Sequence, residues 1–200
     1  MSGYGLIMGK SVNAFLAKAG SLIVELKERA DVSPFIVSEL NALFPKVKEA
    51  MAKIKELETN IESIAKTLKH YDLFQSALGV GPITAATMLV LLCNPEVFKN
   101  GREFAAYIGL APKSSGSGGK NFVTHIPKKC ECNNDVRALL VQCAHSICRC
   151  KHKSDWVSSI LARKPKKVAI IAIANKLARQ LWIMAKKGEK FEKRFILAAV

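Results

Sequence analysis

Acid is what the second half of this chain has least of. Residues 99–200 carry six carboxylates, Glu103, Glu131, Asp135, Asp155, Glu189 and Glu192, against twenty-one lysines and arginines, whereas residues 1–98 hold ten of each sign. The entire net charge of +15 therefore belongs to the second half. A neutral half joined to a strongly basic one points to a scaffold joined to a binder of polyanions, and nucleic acid is the usual polyanion. The six acids show no spacing that would converge on a divalent cation. Metal-dependent phosphoryl transfer on carboxylates of this chain is therefore not expected, and no metal site is assigned.

Long apolar runs are missing as well. The longest, around Met88–Cys93 and Val168–Ala174, are too short to cross a bilayer. The opening "MSGYGLIMGKSVNAFLAKAG" has no basic stretch ahead of a long apolar one, so no signal peptide is read, and no lipidation motif is present. The expectation is a soluble, cytoplasmic chain with no membrane partner, associated with the nucleoid through its charge. Half of the residues are hydrophobic and 24% charged, which excludes wholesale disorder.

Of six cysteines, five lie close together with two histidines nearby: Cys130, Cys132, Cys143, His145, Cys148, Cys150 and His152. The spacing is Cys-x-Cys twice, not the paired Cys-x2–4-Cys knuckles of a zinc site, and Cys143 and Cys148 point opposite ways on a predicted helix. Reduced thiols are the favoured reading and a zinc-bearing adaptor the alternative.

The elements predicted are almost all helices, and the fold class is all-α. Val12–Lys27 is amphipathic. From Ile36 the apolar residues fall at Ile36, Leu40, Leu43, Val47, Ala50, Ile54, Leu57, Ile61, Ile64 and Leu68, in steps of four and three without a slip. That is a heptad seam, read as a coiled coil or long hairpin, with an amphipathic helix packed on its own domain as the alternative. Pro45 is expected to split it into a short lead and an arm from about Pro45 to His70. Three parts result: a lead segment 1–32, a coiled-coil arm 33–71 and a helical domain 72–200. In "LFQSALGVGPITAATMLVLL", Gly79-Val80-Gly81-Pro82 joins two helical stretches in the manner of a helix-hairpin-helix near 74–92. Such glycines let backbone approach a phosphate, and free N–H groups at a helix start can bind it. Glu96–Leu110 is a short helix with Phe98, Phe104, Ala105 and Ile108 inward, and Asp135–Cys150 and Val168–Lys187 are amphipathic helices. Lys176, Arg179, Lys186 and Lys187 lie off the apolar stripe of the last one. Lys120–Ile126 is the one candidate for extended structure, a hairpin arm.

Chemistry is most plausible at "APKSSGSGGKNFVTHIPKK", whose serine loop covers 112–120. By composition Ser114–Lys120 is a linker. Yet Ser117 stands among Gly116, Gly118 and Gly119, with Lys113 and Lys120 flanking it and Lys128 and Arg137 further on. A serine attacking a DNA phosphate would need such clearance and such cations. Lys164, Lys166 and Lys167 of "ARKPKK" form a second basic loop. His125 is a candidate acid or base, more simply a polar surface residue.

Three stretches together, "LGVGPITAATMLVLLCNPEVFKNGREFAAYIGLAPKSSGSGGK", "RALLVQCAHSI" and "DWVSSILARKPKKVAIIAIANKLARQLWIMAKKGEKF", resemble the C-terminal domain of transposases of the insertion-sequence one-ten family. The likeness is nearest to the eleven-eleven subgroup and includes the Piv-type DNA invertases. The resemblance implies a recombinase with a RuvC-like domain holding acidic Mg²⁺ ligands, a coiled coil for assembly, and a helical domain with a nucleophilic serine. The serine's role falls on Ser117 of Ser117-Gly118-Gly119-Lys120, with Ser115 as fallback, and Gly79, Gly81 and Thr84 match the family's hairpin turn. The RuvC-like domain is missing from this sequence. Mg²⁺ is therefore expected only with a partner domain, and this chain is not expected to recombine DNA alone. The implied partners are DNA, a guide RNA, and further copies through the coiled coil. The rival reading is a non-catalytic DNA- or RNA-binding remnant or regulator of a full-length enzyme.

Overall fold

The computed structural model describes residues 11–112, 114–117, 120–123, 133–151 and 153–190. The chain divides into two units, Met1–Asn60 and Ile61–Val200.

In the first unit, helix α1 (Val12–Glu28) starts at Ser11, whose hydroxyl accepts from the Ala14 N–H at 3.2 Å. This is the bond an N-cap serine exists to make. Ala19, Ile23 and Leu26 form its buried face. Leu26 packs with Val32 and Val37, the latter on helix α2 (Pro34–Lys66), and Ile36 and Leu40 flank this small core. An ion pair between Arg29 and Asp31, 2.6 Å, closes the turn between the helices.

Helix α2 runs through Pro45 without a break, so the predicted split does not occur. Pro45 removes one ladder bond, the one to the Asn41 carbonyl. Asn41 is exposed, so water can take that bond, while the Asn41 amide donates to the Val37 carbonyl at 2.9 Å. Along α2 the heptad seam lies open. Leu43, Ile54, Leu57, Ile61 and Ile64 are all exposed, as is Leu68 beyond the helix end.

The second unit is a helical body built round one central helix. Its elements are α3 (Tyr71–Gln75), α4 (Pro82–Leu91), a 3₁₀ turn (Pro95–Val97), α5 (Gly101–Tyr107), strands β1 (Ser114–Ser117) and β2 (Lys120–Val123), α6 (Asn134–Arg149), α7 (Asp155–Arg163) and α8 (Lys166–Lys187). Helix α8 contacts α3, α5, α6 and α7. Half of its length is buried, including Ile170, Ile173, Leu177, Leu181 and Met184. The largest fully buried side chains are Tyr71, Phe74, Met88, Phe104, Ile108, Leu110, Leu140, Leu181 and Met184, drawn from five of the helices and the turn after α5. Phe98 stands edge-on to Phe104 at 5.1 Å, and the Trp182 indole N–H donates to the Pro95 carbonyl at 2.9 Å. Gly188 ends α8 at φ 68°, the left-handed cap that glycine adopts without strain.

The helical class predicted from sequence therefore holds; β2 falls within the stretch expected to be extended, and β1 is the one addition. Two expectations need correction. Taken whole, α8 is the one described helix long and apolar enough to cross a bilayer, because four of its five lysines stand at its ends, and most of that stretch forms the core of the body. Lys176 lies within that buried part, not off the apolar stripe: it is 4% exposed, with its ammonium 4.0 Å from the centre of the Trp156 ring.

Candidate nucleic-acid interface and serine hairpin

The serine segment is not a loop. Ser114–Ser117 forms β1 and pairs antiparallel with β2, in the register Ser114–Val123, Ser115–Phe122, Gly116–Asn121 and Ser117–Lys120. The candidate nucleophile and a candidate cation are thus cross-strand partners, with two residues between them in sequence, Gly118-Gly119. Serine and glycine are weak strand formers. Here "KNFV" supplies the partner strand, which composition alone does not reveal. Lys113, His125, Lys128, Cys130 and Cys132 lie outside the described residues.

The root of the hairpin is held firmly. Gly109 turns at φ 71°, and Ile108 and Leu110 are buried. The Asn175 amide on α8 donates to the Leu110 carbonyl at 3.1 Å. From α6, the Arg137 guanidinium donates to the Gly109 carbonyl at 3.5 Å and to the Asn134 side-chain oxygen at 2.8 Å. Arg137, expected at the nucleic acid, thus spends two of its donors on protein. Asn175 escaped the sequence reading, although a lone asparagine inside "AIIAIANKLA" is the kind of signal that marks a buried polar tether.

The Gly79-Val80-Gly81-Pro82 turn joins α3 to α4 as expected, but its members face different ways. Gly79 sits at φ 80°, and a β-carbon there would lie 2.7 Å from Ile147 Cγ1 and 2.9 Å from the Cys143 carbonyl oxygen. Its smallness therefore serves the packing of the turn on α6. Thr84 is buried, and its hydroxyl accepts from the Cys143 thiol at 3.5 Å. Burial pushes the Cys143 thiol above its ordinary pKa, with opposing hydrogen bonds from Thr84 and the Gly81 backbone. Gly81 has open space where a β-carbon would go, and α4 begins at Pro82 with no side-chain cap on its first turn.

A second basic surface lies between α7 and α8. Lys164, Lys166 and Lys167 are all exposed, with Arg163 beside them. Helix α8 starts on two lysines, with no acid in its first turn and no capping side chain. Positive residues at a helix N-terminus oppose the macrodipole, so this end concentrates positive potential. It can hold an anion, not a cation.

Among the described residues no three His, Cys, Asp or Glu side chains come together. These residues therefore do not fit a Mg²⁺ or zinc site. Cys143 is buried, and Cys148 and Cys150 are half-buried free thiols.

Residues 71–157 match the family model "Transposase IS116/IS110/IS902 family". The matched span begins with α3 and takes in the hairpin and α6. The chain is 32% identical over 185 residues to a Sinorhizobium fredii protein named "Putative transposase y4pF/y4sB", covering 88% of this chain and 47% of the relative. It is 27% identical over 193 residues to the transposase for insertion sequence element IS1111A of Coxiella burnetii, covering 94% and 52%. To the transposase for insertion sequence element IS1328 of Yersinia enterocolitica it is 29% identical over 176 residues, covering 86% and 52%. The chain spans about half the length of these relatives.

Proposed function

We propose, from the match of residues 71–157 to the IS116/IS110/IS902 family of transposases, that the chain is the DNA-binding, serine-bearing portion of a recombinase that moves an insertion sequence. The observation that carries the reading is the register of the hairpin, in which Ser117 stands opposite Lys120, within a half of the chain that holds all of the excess positive charge. In the proposed step the Ser117 oxygen attacks a DNA phosphorus. A serine–phosphate ester forms, the bond from phosphorus to a deoxyribose oxygen breaks, and the serine proton leaves on that oxygen. Energy of the broken bond is retained in the ester for rejoining. Lys120 supplies positive charge where the phosphorane builds up negative charge. The described residues do not fit Mg²⁺, and no step of this chain is routed through the metal; it belongs to a RuvC-like partner domain.

Binding is proposed to use Lys113, Lys120 and Lys128 around the hairpin, Lys164, Lys166 and Lys167 at the start of α8, and the open Gly81 end of α4. The same contacts suit a guide RNA, since backbone phosphates position without specifying. The α2 seam is proposed to pair with further copies of the chain. Its support is that five apolar heptad residues of α2 are exposed, which a self-contained helix would not leave bare.

The test is Ser117→Ala in the full chain, supplied with the acidic domain and a labelled duplex. Loss of covalent protein–DNA adducts with unchanged duplex affinity is the expected result. Adducts that persist in Ser117→Ala but vanish in Ser115→Ala would move the role to Ser115. The rival reading, a non-catalytic DNA- or RNA-binding remnant or regulator, rests on the same excess of positive charge. It predicts duplex binding with no adduct from the wild type under any pairing. Either way, affinity should fall steeply with salt.

A further inference from the structure

We infer that Arg102 and Arg179 form a phosphate clamp on the α5–α8 face, taking a nucleic-acid phosphodiester between their guanidinium groups. The site starts from a close approach of backbones. Gly101 is buried, and a β-carbon on it would lie 3.2 Å from the Cα, Cβ and carbonyl oxygen of Arg179. A larger residue there would force α5 and α8 to give by a few tenths of an ångström. The approach brings Arg102, the next residue and an exposed one, within electrostatic reach of Arg179.

The positive charge of Arg102 acts on Arg179 unfavourably. Among the described residues no ion pair is made by either arginine. Arg179 Nε is fully buried without a hydrogen-bond partner. The nearest acid in sequence is engaged elsewhere: Glu103 accepts from the Lys99 backbone N–H at 2.7 Å. Burial, then the charge of Arg102, lowers the pKa of Arg179, and Arg179 in turn acts on Lys176 one turn earlier on α8. A folded protein accumulates unneutralised, half-buried positive charge at a cost, and an external anion removes that cost. The planar fork of arginine matches two phosphate oxygens at once.

The position suits the proposed chemistry, and the choice of a phosphodiester rests on the reading that this chain binds nucleic acid. Asn175 anchors the hairpin root at Leu110, and Arg179 follows it by one turn of α8, about 6 Å. A strand gripped by the pair would therefore pass within a helical turn of the root of the serine hairpin. Neither arginine lies in the basic loops that charge runs pick out. Their pairing depends on the α5–α8 crossing and is invisible along the sequence.

Two measurements on the full chain test the clamp, using wild type, Arg102→Gln, Arg179→Gln and the charge-keeping Arg179→Lys. The first is melting temperature in inorganic phosphate against chloride at equal ionic strength. The second is anisotropy of two labelled duplexes of unrelated sequence over a salt series. Phosphate is expected to raise the wild-type midpoint by about 3 °C and to leave both glutamine variants unmoved. The same variants should bind both duplexes about tenfold more weakly, with a salt slope smaller by about 1. Arg102→Gln alters an exposed residue, so it reads the clamp even if Arg179→Gln fails to fold. Phosphate stabilisation lost in the variants, with duplex affinity and slope unchanged, would overturn the nucleic-acid assignment and leave a site for a free anion. Equal phosphate response in wild type and variants would overturn the clamp altogether. If the wild type binds no duplex but its phosphate response still needs Arg102, the proposed function fails while the anion site stands.

Discussion

Helices α2 and α6 both carry leucine and isoleucine at helical spacing, yet they use them in opposite ways. On α6, Leu140 is 0% exposed and Ile147 is 6%. On α2, Leu57 is 48% exposed and Ile61 is 43%. The difference was written in the width of the stripe. Buried positions on α6 include the adjacent pair Cys143 and Ala144, a broad face fit for a globular core. The α2 seam advances strictly by four and three, the narrow line that suits another helix of the same period. An apolar period thus reports that a face must be covered; its width reports by what.

The largest effect should come from making the same deletion on both helices. Leu140→Ala removes a fully buried side chain from the body and is expected to cost about 3–4 kcal/mol in denaturant unfolding. Leu57→Ala should cost less than about 0.5 kcal/mol in dilute solution, because that side chain is exposed and alanine is the better helix former. If α2 pairs with another copy, the cost of Leu57→Ala will grow with protein concentration, and sedimentation will show a shift to smaller species. A concentration-independent loss like that of Leu140→Ala would mean that the two helices are not different in kind.

Next in size is a contrast within the body. Gly79→Ala places a β-carbon against Ile147 and the Cys143 carbonyl at a positive φ, and should cost about 3 kcal/mol from strain and overpacking together. Gly81→Ala meets nothing within 4 Å and should cost well under about 1 kcal/mol, the loss of a glycine N-cap. Thermal unfolding of the two variants side by side checks this. Similar losses would show that Gly79 is not pressed against α6.

What could be read along the chain was whatever local pattern determines. The bounds of α1, α6 and α8 follow from apolar period and end signals and came out within two residues. The inward set Phe98, Phe104, Ala105 and Ile108 is buried as expected. Pro45 misled because its cost depends on whether the freed Asn41 carbonyl meets water, which is a matter of environment. The serine segment misled because a strand needs a partner, and composition describes one strand at a time. The tether from Asn175 to Leu110 spans 65 positions in sequence, and the Arg102–Arg179 approach needs two helices to cross. Lys176 shows the same limit, since the Trp156 ring that its ammonium meets comes from α7, a different helix.

The smallest effect sharpens the comparison at its boundary, where the exposed stripe ends and the packed core begins. Tyr71 opens α3, five residues after α2 ends, and its side chain is 1% exposed. Its ring fills the core, but its hydroxyl is buried with no hydrogen-bond partner. A buried donor without a partner destabilises the fold, while the ring alone stabilises it. Tyr71→Phe keeps the ring and removes the orphan, so stability should rise by about 1 kcal/mol at neutral pH. The pH dependence has a definite sign. Burial raises the Tyr71 hydroxyl above its ordinary pKa, so the folded state holds this proton more tightly than the unfolded one does. Its contribution is fully present below about pH 10 and is lost as pH rises beyond it. Urea midpoints measured between neutral pH and pH 11 should therefore fall more steeply in wild type than in Tyr71→Phe. A phenylalanine variant that is less stable at neutral pH would mean that the hydroxyl has a partner in solution, and that the core reaches further toward the end of α2 than its buried side chains indicate.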